Sequence, residues 1–572
     1  MKILTNHVAY LPNSQISIVV ESDTPLTDLT FACFTSSSSP LPLNGVWTES
    51  TKIDAWQNKY YTAYHFLSPK ISGRYLVEIS APHSQSVSQE ISIQANGLVL
   101  KTLSDVLYYF KGQRCSGAYN RKDRLASFYG EREGTRNLSG GWYDASGDVS
   151  KYLSHLSFGN FMNPQQIPMV VWNLLESSQN LPASDINHTK LIERLKEEAL
   201  FGADYLVRAQ DPEGYFYITL FDKWSKDAAQ REICAFEGIE GNKTEQYQAA
   251  WRQGGGVAIA ALAKAYKCST RGDFHPEVYL EKAQIGFEHL LKNNLKYCDD
   301  GQANIIDDYC KLLAATELYT ATKSNLYLIE GRNAANQLCN KLTEDENFKG
   351  WFNTRDDLDR PFFSASEAGL PILALHKFTQ IDPSPQQKAL YREVLEKHID
   401  FNLTISADLQ NIFQHSKQYV QDLGGEKRAS YFMPQKNETG YWWQGENARL
   451  ASIAAACMQV GIDGYRTEEL IPFANQQLDW ILGKNPYDAC MLAGQGQNNP
   501  YYVDGYPSAP GGICNGITAG FLNSDDVALA PKIPAAQQDE ENWRWGEQWI
   551  PHAAWYQLAI VLQSKWELTK NS

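Results

Sequence analysis

Leu98-Val99-Leu100-Lys101-Thr102-Leu103-Ser104-Asp105-Val106-Leu107-Tyr108-Tyr109-Phe110 is where the chain changes character. Apolar residues at 98, 100, 103, 106, 107 and 110 recur at helical spacing and predict a helix over 98–114. Before it the pattern is that of short strands. Gln15 to Glu21 carries Ile16, Ile18, Val19 and Val20; Leu29 to Phe34, Tyr60 to Phe66 and Gln89 to Ile93 are further candidates. Gly73 to Ile79 alternates at Tyr75, Val77 and Ile79, and Asn13-Ser14 and Thr35 to Pro40 supply turn chemistry. Residues 1–97 are therefore expected to form a small β-sandwich, a packing module without a catalytic constellation.

After Leu98 the pattern stays helical. Further helices are predicted over 168–178, 191–209, 246–267, 277–295, 307–321, 325–342, 364–378, 386–401, 445–460, 468–482 and 549–568. The strand–helix alternation of an open α/β sheet or an eight-stranded α/β barrel is missing. The fold class is mainly α. Twelve helices suit six antiparallel hairpins closed into an (α/α)6 toroid over residues 98–572. A helical solenoid competes, but no fixed repeat of about 30–45 residues is visible. Long segments at 116–162, 211–244, 408–441 and 485–545 would build a site at one end of such a ring.

Composition limits the classes of function. The 572 residues carry a formal net charge of −15, which argues against a broad grip on nucleic-acid phosphates. No apolar run reaches the ~18 residues of a membrane span, and no signal-peptide pattern opens the chain. Ten scattered cysteines without a CxxC pair argue against a disulfide scaffold or thiolate zinc site, so the cytoplasm is expected. The histidines show no metal-ligand spacing; neither a catalytic metal nor a cofactor is expected. Structural Ca²⁺ or Na⁺ would leave little trace. Aromatic residues reach 12%, with 15 Trp and 31 Tyr, an unusual figure that core packing alone can account for. Flat ligands, sugars among them, stack on such side chains.

The sharpest chemistry lies at Gly140-Gly141-Trp142-Tyr143-Asp144-Ala145-Ser146-Gly147-Asp148. Two carboxylates four residues apart in a glycine-interrupted loop can aim into one cavity. Hydrolysis of an acetal needs one ionised carboxylate to activate water and one protonated acid to release the leaving oxygen. The alternative is that Asp144 and Asp148 only cap a turn. Glu446 and Arg449, three apart on one helix, read as an ion pair.

The segment closely resembles the Gly-Gly-Trp-Tyr-Asp-Ala-Gly-Asp signature of glycoside hydrolase family 9. Asn6 to Pro12 resembles the opening of the immunoglobulin-like domain that precedes many of these catalytic domains. Trp251-Arg252-Gln253-Gly254-Gly255-Gly256 and Trp480 to Pro486 resemble helix segments of the toroid. The glycine triplet lacks the lysine of a phosphate loop and reads as close helix packing. The resemblance implies an (α/α)6 toroid and an inverting β-glycosidase. It implies Asp148 as general base and Asp144 as the residue that helps hold the attacking water, or, given the Ser146 inserted between them, as the base itself. In Trp543-Arg544-Trp545-Gly546-Glu547-Gln548-Trp549 it implies Glu547 as general acid; a Glu among three Trp would also be desolvated and kept protonated.

Three departures mark this chain. Ser146 is inserted between the two Asp; no His-His-Arg segment stands at Asn499 to Pro507; and Gly546 replaces the usual Asn before the acid. The combination resembles the intracellular exo-β-D-glucosaminidases of chitin-using bacteria. That resemblance implies short chitosan oligosaccharides as substrate, cut from the non-reducing end, with Asp504 and Asp144 facing an ammonium group. Sugar-contacting residues would be Trp142, Tyr143, Tyr501, Tyr502, Asp504 and Trp545, with Trp442 and Trp443 either stacking on sugar or packing in the core. A cellodextrin or β-1,4-glucan hydrolase of the same family, and an oligosaccharide-binding protein without catalysis, are the alternatives.

Overall fold

The computed structural model describes residues 1–572 other than 36–38, 83, 156, 184–185, 269, 503–507, 521–522, 530–541 and 572. Two antiparallel sheets open the chain. One is built from β1 (Lys2–Leu4), β2 (Gln15–Ser22), β4 (Gly45–Trp47), β5 (Thr51–Ile53) and β6 (Lys59–Leu67), in the order β1-β2-β6-β4 with β5 also on β6. The other is β3 (Thr30–Phe34), β7 (Gly73–Ser80) and β8 (Val87–Ile93), in the order β3-β7-β8. Alternation along β7 buries Tyr75, Val77 and Ile79, which join Ile18, Val20, Phe66 and Ile93 in one apolar cluster. The opposite face of β2 and β6, through Val19, Tyr61 and Ala63, merges with the helical core instead.

Twelve helices of ten or more residues follow among the described residues: α1 (Ser104–Gln113), α2 (Ile167–Asn180), α3 (Ile186–Arg208), α4 (Gly256–Tyr266), α5 (Pro276–Tyr297), α6 (Ile305–Thr322), α7 (Asn325–Asn340), α8 (Leu370–Ile381), α9 (Pro385–Ser406), α10 (Glu446–Ile462), α11 (Thr467–Ile481) and α12 (Ile550–Asn571). The even-numbered helices pack in a closed circuit: α2 on α4, then α6, α8, α10, α12, and α12 back on α2. Each odd-numbered helix packs outside its neighbour in the ring. Sequence explains the division. Helices α4 and α10 are apolar nearly all round and buried along almost their whole length, whereas α5 and α9 keep one solvated face. Starts are set by proline in the first turn of α2, α5, α8 and α9, and by Asn304, whose side chain caps α6 through the Ile306 amide at 2.9 Å.

All twelve expected helices are present, with several starts moved: the first is α-helical only from Ser104, after a π-helical turn at Val99–Leu103, and the third begins earlier, at Ile186. The 246–267 helix begins only at Gly256, because Gly254 turns to φ +93°. A Cβ at Gly254 would lie 2.5 Å from that of Leu153, and one at Gly256 2.8 Å from that of Cys310, so the triplet serves close packing. The 364–378 helix begins at Leu370. The mainly-α expectation is also too simple. The chain has a helical core of paired helices and several small sheets, because the segments linking outer to inner helices carry short strands such as Thr219–Phe221 and Glu232–Glu237. Strands of two to four residues show no alternation that a sequence pattern can register, and Glu232–Glu237 buries its four central residues without alternating.

Polar contacts fix the sheets to the ring. Asn6 Nδ2 donates to Asp479 Oδ1 at 2.8 Å, His7 Nε2 meets Asp488 Oδ1 at 2.8 Å, and buried Lys484 Nζ donates to Ser17 Oγ at 2.9 Å. Trp56 packs on Phe413, Tyr431 and Trp480. No helix among the described residues is long and apolar enough to cross a membrane.

Candidate active site

Short links join each inner helix to the outer helix that follows, as between α6 and α7 or α8 and α9, while the return segments are mostly long. The long segments therefore gather at one end of the ring. There they enclose a cavity of about 320 Å³ lined by Asp144, Asp148 and Glu547 together with His155, Trp224, Phe236, Tyr441, Trp442, Tyr502, Trp543 and Trp549.

The Asp loop is held from below and from the side. Gly140 and Gly141 at φ +84° and +71° turn the chain so that Trp142 enters the core, where its indole donates to Glu198 at 2.8 Å. Buried Lys151 pairs with Asp123 at 2.8 Å, and Arg231 pairs with the same Asp123 at 2.7 Å. Lys151 also donates to Gly140 O, and Arg231 to Val149 O. The two cations thus grip the loop's carbonyls while Asp123 neutralises part of their charge.

Each Asp has its own set of donors. Asp148 accepts from the Ser150 amide and from Tyr152 Oη, both at 2.7 Å. Asp144 accepts from the Trp549 indole at 2.9 Å on one oxygen and from Gln166 Nε2 on the other. Burial pushes both carboxyls up, and they do not rise equally. Asp148 reaches about 6 through burial and the nearby Asp222, with Ser150, Tyr152 and Arg231 pulling the other way. Asp144 is raised well above the carboxylate range by burial and by Asp148, despite its bonds from Trp549 and Gln166.

Glu547 follows the short helix Trp543–Gly546 and is half-buried at the cavity. Its carboxyl is raised well above the usual value by burial, then by Asp148 and Asp144; a hydrogen bond from Asn515 opposes this. The amide of Asn515 also donates to Glu547 O at 2.8 Å, and its Oδ1 meets His552 Nε2 at 2.9 Å. Among the described residues no group of three or more His, Cys, Asp or Glu is placed to hold a metal ion.

The site therefore brings together Asp144, Asp148, Glu547, Trp442 and Tyr502 of the expected residues. Others lie elsewhere. Trp142 and Trp545 are core residues, drawn in by the apolar packing around them. Tyr143 is tied to Ser116 beside Tyr119, Tyr501 points to solvent at 67% exposed, and Trp443 lies beneath Arg544 at 3.5 Å. Asp504 lies outside the described residues. Glu446 does pair with Arg449, at 2.5 Å, and with His415, at 2.9 Å.

Residues not foreseen are His155, Trp224, Phe236 and Tyr441 on the walls, and Gln166 and Tyr152 behind the Asp pair. Three strands, Lys151–Tyr152, Thr219–Phe221 and Glu232–Glu237, align Tyr152, Phe221 and Phe236 into a satellite aromatic cluster. Trp224 packs edge-on against Phe221 and Phe236 from a loop in which Lys223, Trp224 and Lys226 all have φ near +60°. Non-glycine residues adopt that conformation at a conformational cost, often where a side chain must be presented. The available signal was the length of the 211–244 segment.

The sequence profile of glycosyl hydrolase family 9 matches residues 100–509, most of the chain. The chain belongs to glycosyl hydrolase family 9. This family 9 protein is a glycoside hydrolase, an enzyme that cleaves O-glycosyl bonds. It is 22% identical to a xyloglucan-specific endo-β-1,4-glucanase of Bacteroides ovatus over 560 residues, covering 90% of this chain and 84% of that protein. A solved family 9 structure from Bacteroides ovatus superposes with a TM-score of 0.63 at 18% identity, covering 98% of both chains. A metagenome-derived family 9 endoglucanase gives 0.63 at 14% identity over 99% of both chains.

These relatives correct one expectation. The family 9 hydrolase was expected in the exo-β-D-glucosaminidase branch, acting on chitosan oligosaccharides; the relatives found carry names of glucan-cleaving enzymes instead. Asp144, expected to face the sugar ammonium, accepts from Gln166 on one oxygen and from Trp549 on the other, so each oxygen keeps one lone pair.

Proposed function

We propose that this family 9 hydrolase cleaves β-1,4-linked glucans of the cellulose or xyloglucan type with inversion at the anomeric carbon. The observation that carries the reading is that the buried carboxyls around one cavity are held unequally: Ser150, Tyr152 and Arg231 favour the charged form of Asp148, whereas Asn515 alone does so for Glu547. Asp148, at about 6, is ionised at neutral pH, while Glu547 is held protonated. Asp148 then serves as general base, and its bonds from Ser150 and Tyr152 leave one lone pair of each oxygen open for water. Asp144 orients that water beside it, and Glu547 protonates the departing glycosidic oxygen. Inversion asks for base and acid carboxyls about 6.5–9.5 Å apart, room for one water. Trp442, Trp543 and Trp224 offer faces and edges for the sugar rings. The names of the relatives support the glucan reading.

The finer architecture belongs to the same proposal. The closed circuit of α2, α4, α6, α8, α10 and α12 supports an (α/α)6 toroid over residues 98–572, and the two packed sheets support an immunoglobulin-like sandwich over 1–97. Ten free thiols, nine of them buried, fit a reducing compartment and hence the cytoplasm.

The test is hydrolysis of cellotetraose and xyloglucan oligosaccharides followed by proton NMR. Initial release of the α-anomer is expected, and Asp148→Asn and Glu547→Gln should each remove most activity. Release of the β-anomer, or full activity in either variant, would contradict the reading.

A further inference from the structure

His155 lines the cavity with neither ring nitrogen hydrogen-bonded among the described residues. It is only 8% exposed. Its Nδ1 lies 3.9 Å from Asp144 Oδ2, beyond hydrogen-bond range. The ring is boxed edge-on by Tyr152 at 4.7 Å and Trp442 at 4.8 Å, and lies nearly parallel to Trp549 at 6.4 Å. That aromatic box restricts the imidazole from turning towards another partner. Burial pulls its pKa down to about 3, so the ring is neutral and presents one donor and one acceptor. A buried polar group without a partner destabilises a fold. An apolar side chain would fill this place with no such penalty.

We propose that His155 is a specificity-determining residue that hydrogen-bonds a hydroxyl of the sugar ring occupying the cavity, with Asp144 accepting from the same hydroxyl. One oxygen about 2.8 Å from both Nδ1 and Asp144 Oδ2 spans the 3.9 Å gap at an angle of about 90°. The hydroxyl donates to Asp144 and accepts from the imidazole N–H. Because Asp144 holds the attacking water as well, this contact fixes the sugar ring relative to the nucleophile. The inference rests on the glucan reading above.

The experiment measures cellotetraose binding in a Glu547→Gln background, where turnover is suppressed, beside wild-type hydrolysis of the same sugar. His155→Phe should weaken binding about tenfold, as expected for one lost hydrogen bond. His155→Gln, which keeps a donor and an acceptor, should recover most of it. In ¹⁵N-histidine-labelled Glu547→Gln protein, the His155 ring signals should shift on adding cellotetraose, a readout that does not depend on a variant at 155. Unchanged affinity in a folded His155→Phe protein, or unmoved ring signals while cellotetraose binds, would overturn the assignment. So would a loss confined to kcat, which would place His155 on the water instead. Wild-type enzyme that neither binds nor cleaves cellotetraose would sink the glucan reading first, and the sugar contact with it.

Discussion

Ser146 and Gln548 hold each other reciprocally: the Ser146 amide donates to Gln548 O at 2.8 Å, and the Gln548 amide donates to Ser146 Oγ at 2.8 Å. The residue inserted between the two Asp thus stitches their loop to the residue next to Glu547, some 400 positions away. Ala145 and Trp549 continue the seam as a bridge, and the Ile550 amide reaches Asp144 O at 3.1 Å. The insertion therefore sets the position of the Asp pair relative to Glu547.

Removing the hydroxyl should loosen that seam. Ser146→Ala leaves the buried Gln548 amide without its acceptor, which is expected to lower stability by about 1–3 kcal/mol. Displacement of reacting groups by even about 1 Å lowers rates about a hundredfold. The expected result is kcat on cellotetraose reduced ten- to hundredfold with KM little changed, beside a modest fall in the urea midpoint.

The pH profile should be bell-shaped, and each limb has an owner. As the proposed base, Asp148 must be ionised, so activity is expected to fall as pH drops through about 6. As the proposed acid, Glu547 must be protonated, so activity is expected to fall again when pH exceeds its raised value. Glu547→Gln should lose about 10²–10⁴ in rate on cellotetraose. On an aryl glycoside whose leaving group needs no proton, the variant should keep far more activity and lose the alkaline limb. Rate measurements from pH 4 to 10 on both substrates check this.

These roles were only partly readable in the sequence. Asp144, Asp148 and Glu547 sit in local motifs, and the inner helices announce themselves by apolar runs such as Val257 to Ala263. The side chains around them depend on distant partners. Trp142 looks like a cavity residue beside Asp144, yet it fits into the core because Gly202 on α3 leaves the space; a Cβ there would lie 2.2 Å from the indole. His155 becomes a cavity residue only because Trp442 and Trp549, hundreds of residues later, close on it. Substrate choice was the least readable, since it rested on Asp504, outside the described residues, and on Asp144, a residue that the glucan and the aminosugar readings both use.

Burial of the carboxyls also has a consequence for stability. Asp148 is raised in the folded state from 3.8 to about 6, so between those values the folded protein binds more protons than the unfolded chain. Its contribution therefore favours the fold below about pH 4 and turns against it as pH rises through about 6. At neutral pH the penalty is about 3 kcal/mol before other adjustments. Asp148→Asn should raise Tm at pH 7, with a smaller gain at pH 4, while abolishing turnover. Thermal unfolding at the two pH values decides it; a Tm that falls at pH 7 would show that the bonds from Ser150 and Tyr152 outweigh the burial.

Gly546 occupies the place where the related signature has Asn, and its surroundings explain the exchange. A Cβ at this position would lie 2.9 Å from Tyr501 O and 3.1 Å from Tyr502 Cα, so the 501–502 backbone has moved into the space a side chain would need. Tyr502, buried and on the cavity wall, is held there by that close approach. Gly546→Asn should push the segment outward and lower stability by about 1–3 kcal/mol. Because Tyr502 moves while Asp148 and Glu547 keep their own supports, the larger kinetic change should be a raised KM, with kcat reduced less. Gly546→Ala should show the same direction at smaller size. Steady-state kinetics on cellotetraose, read beside urea unfolding, separate the two effects; an Asn variant with wild-type KM would mean that Tyr502 does not bear on the bound sugar.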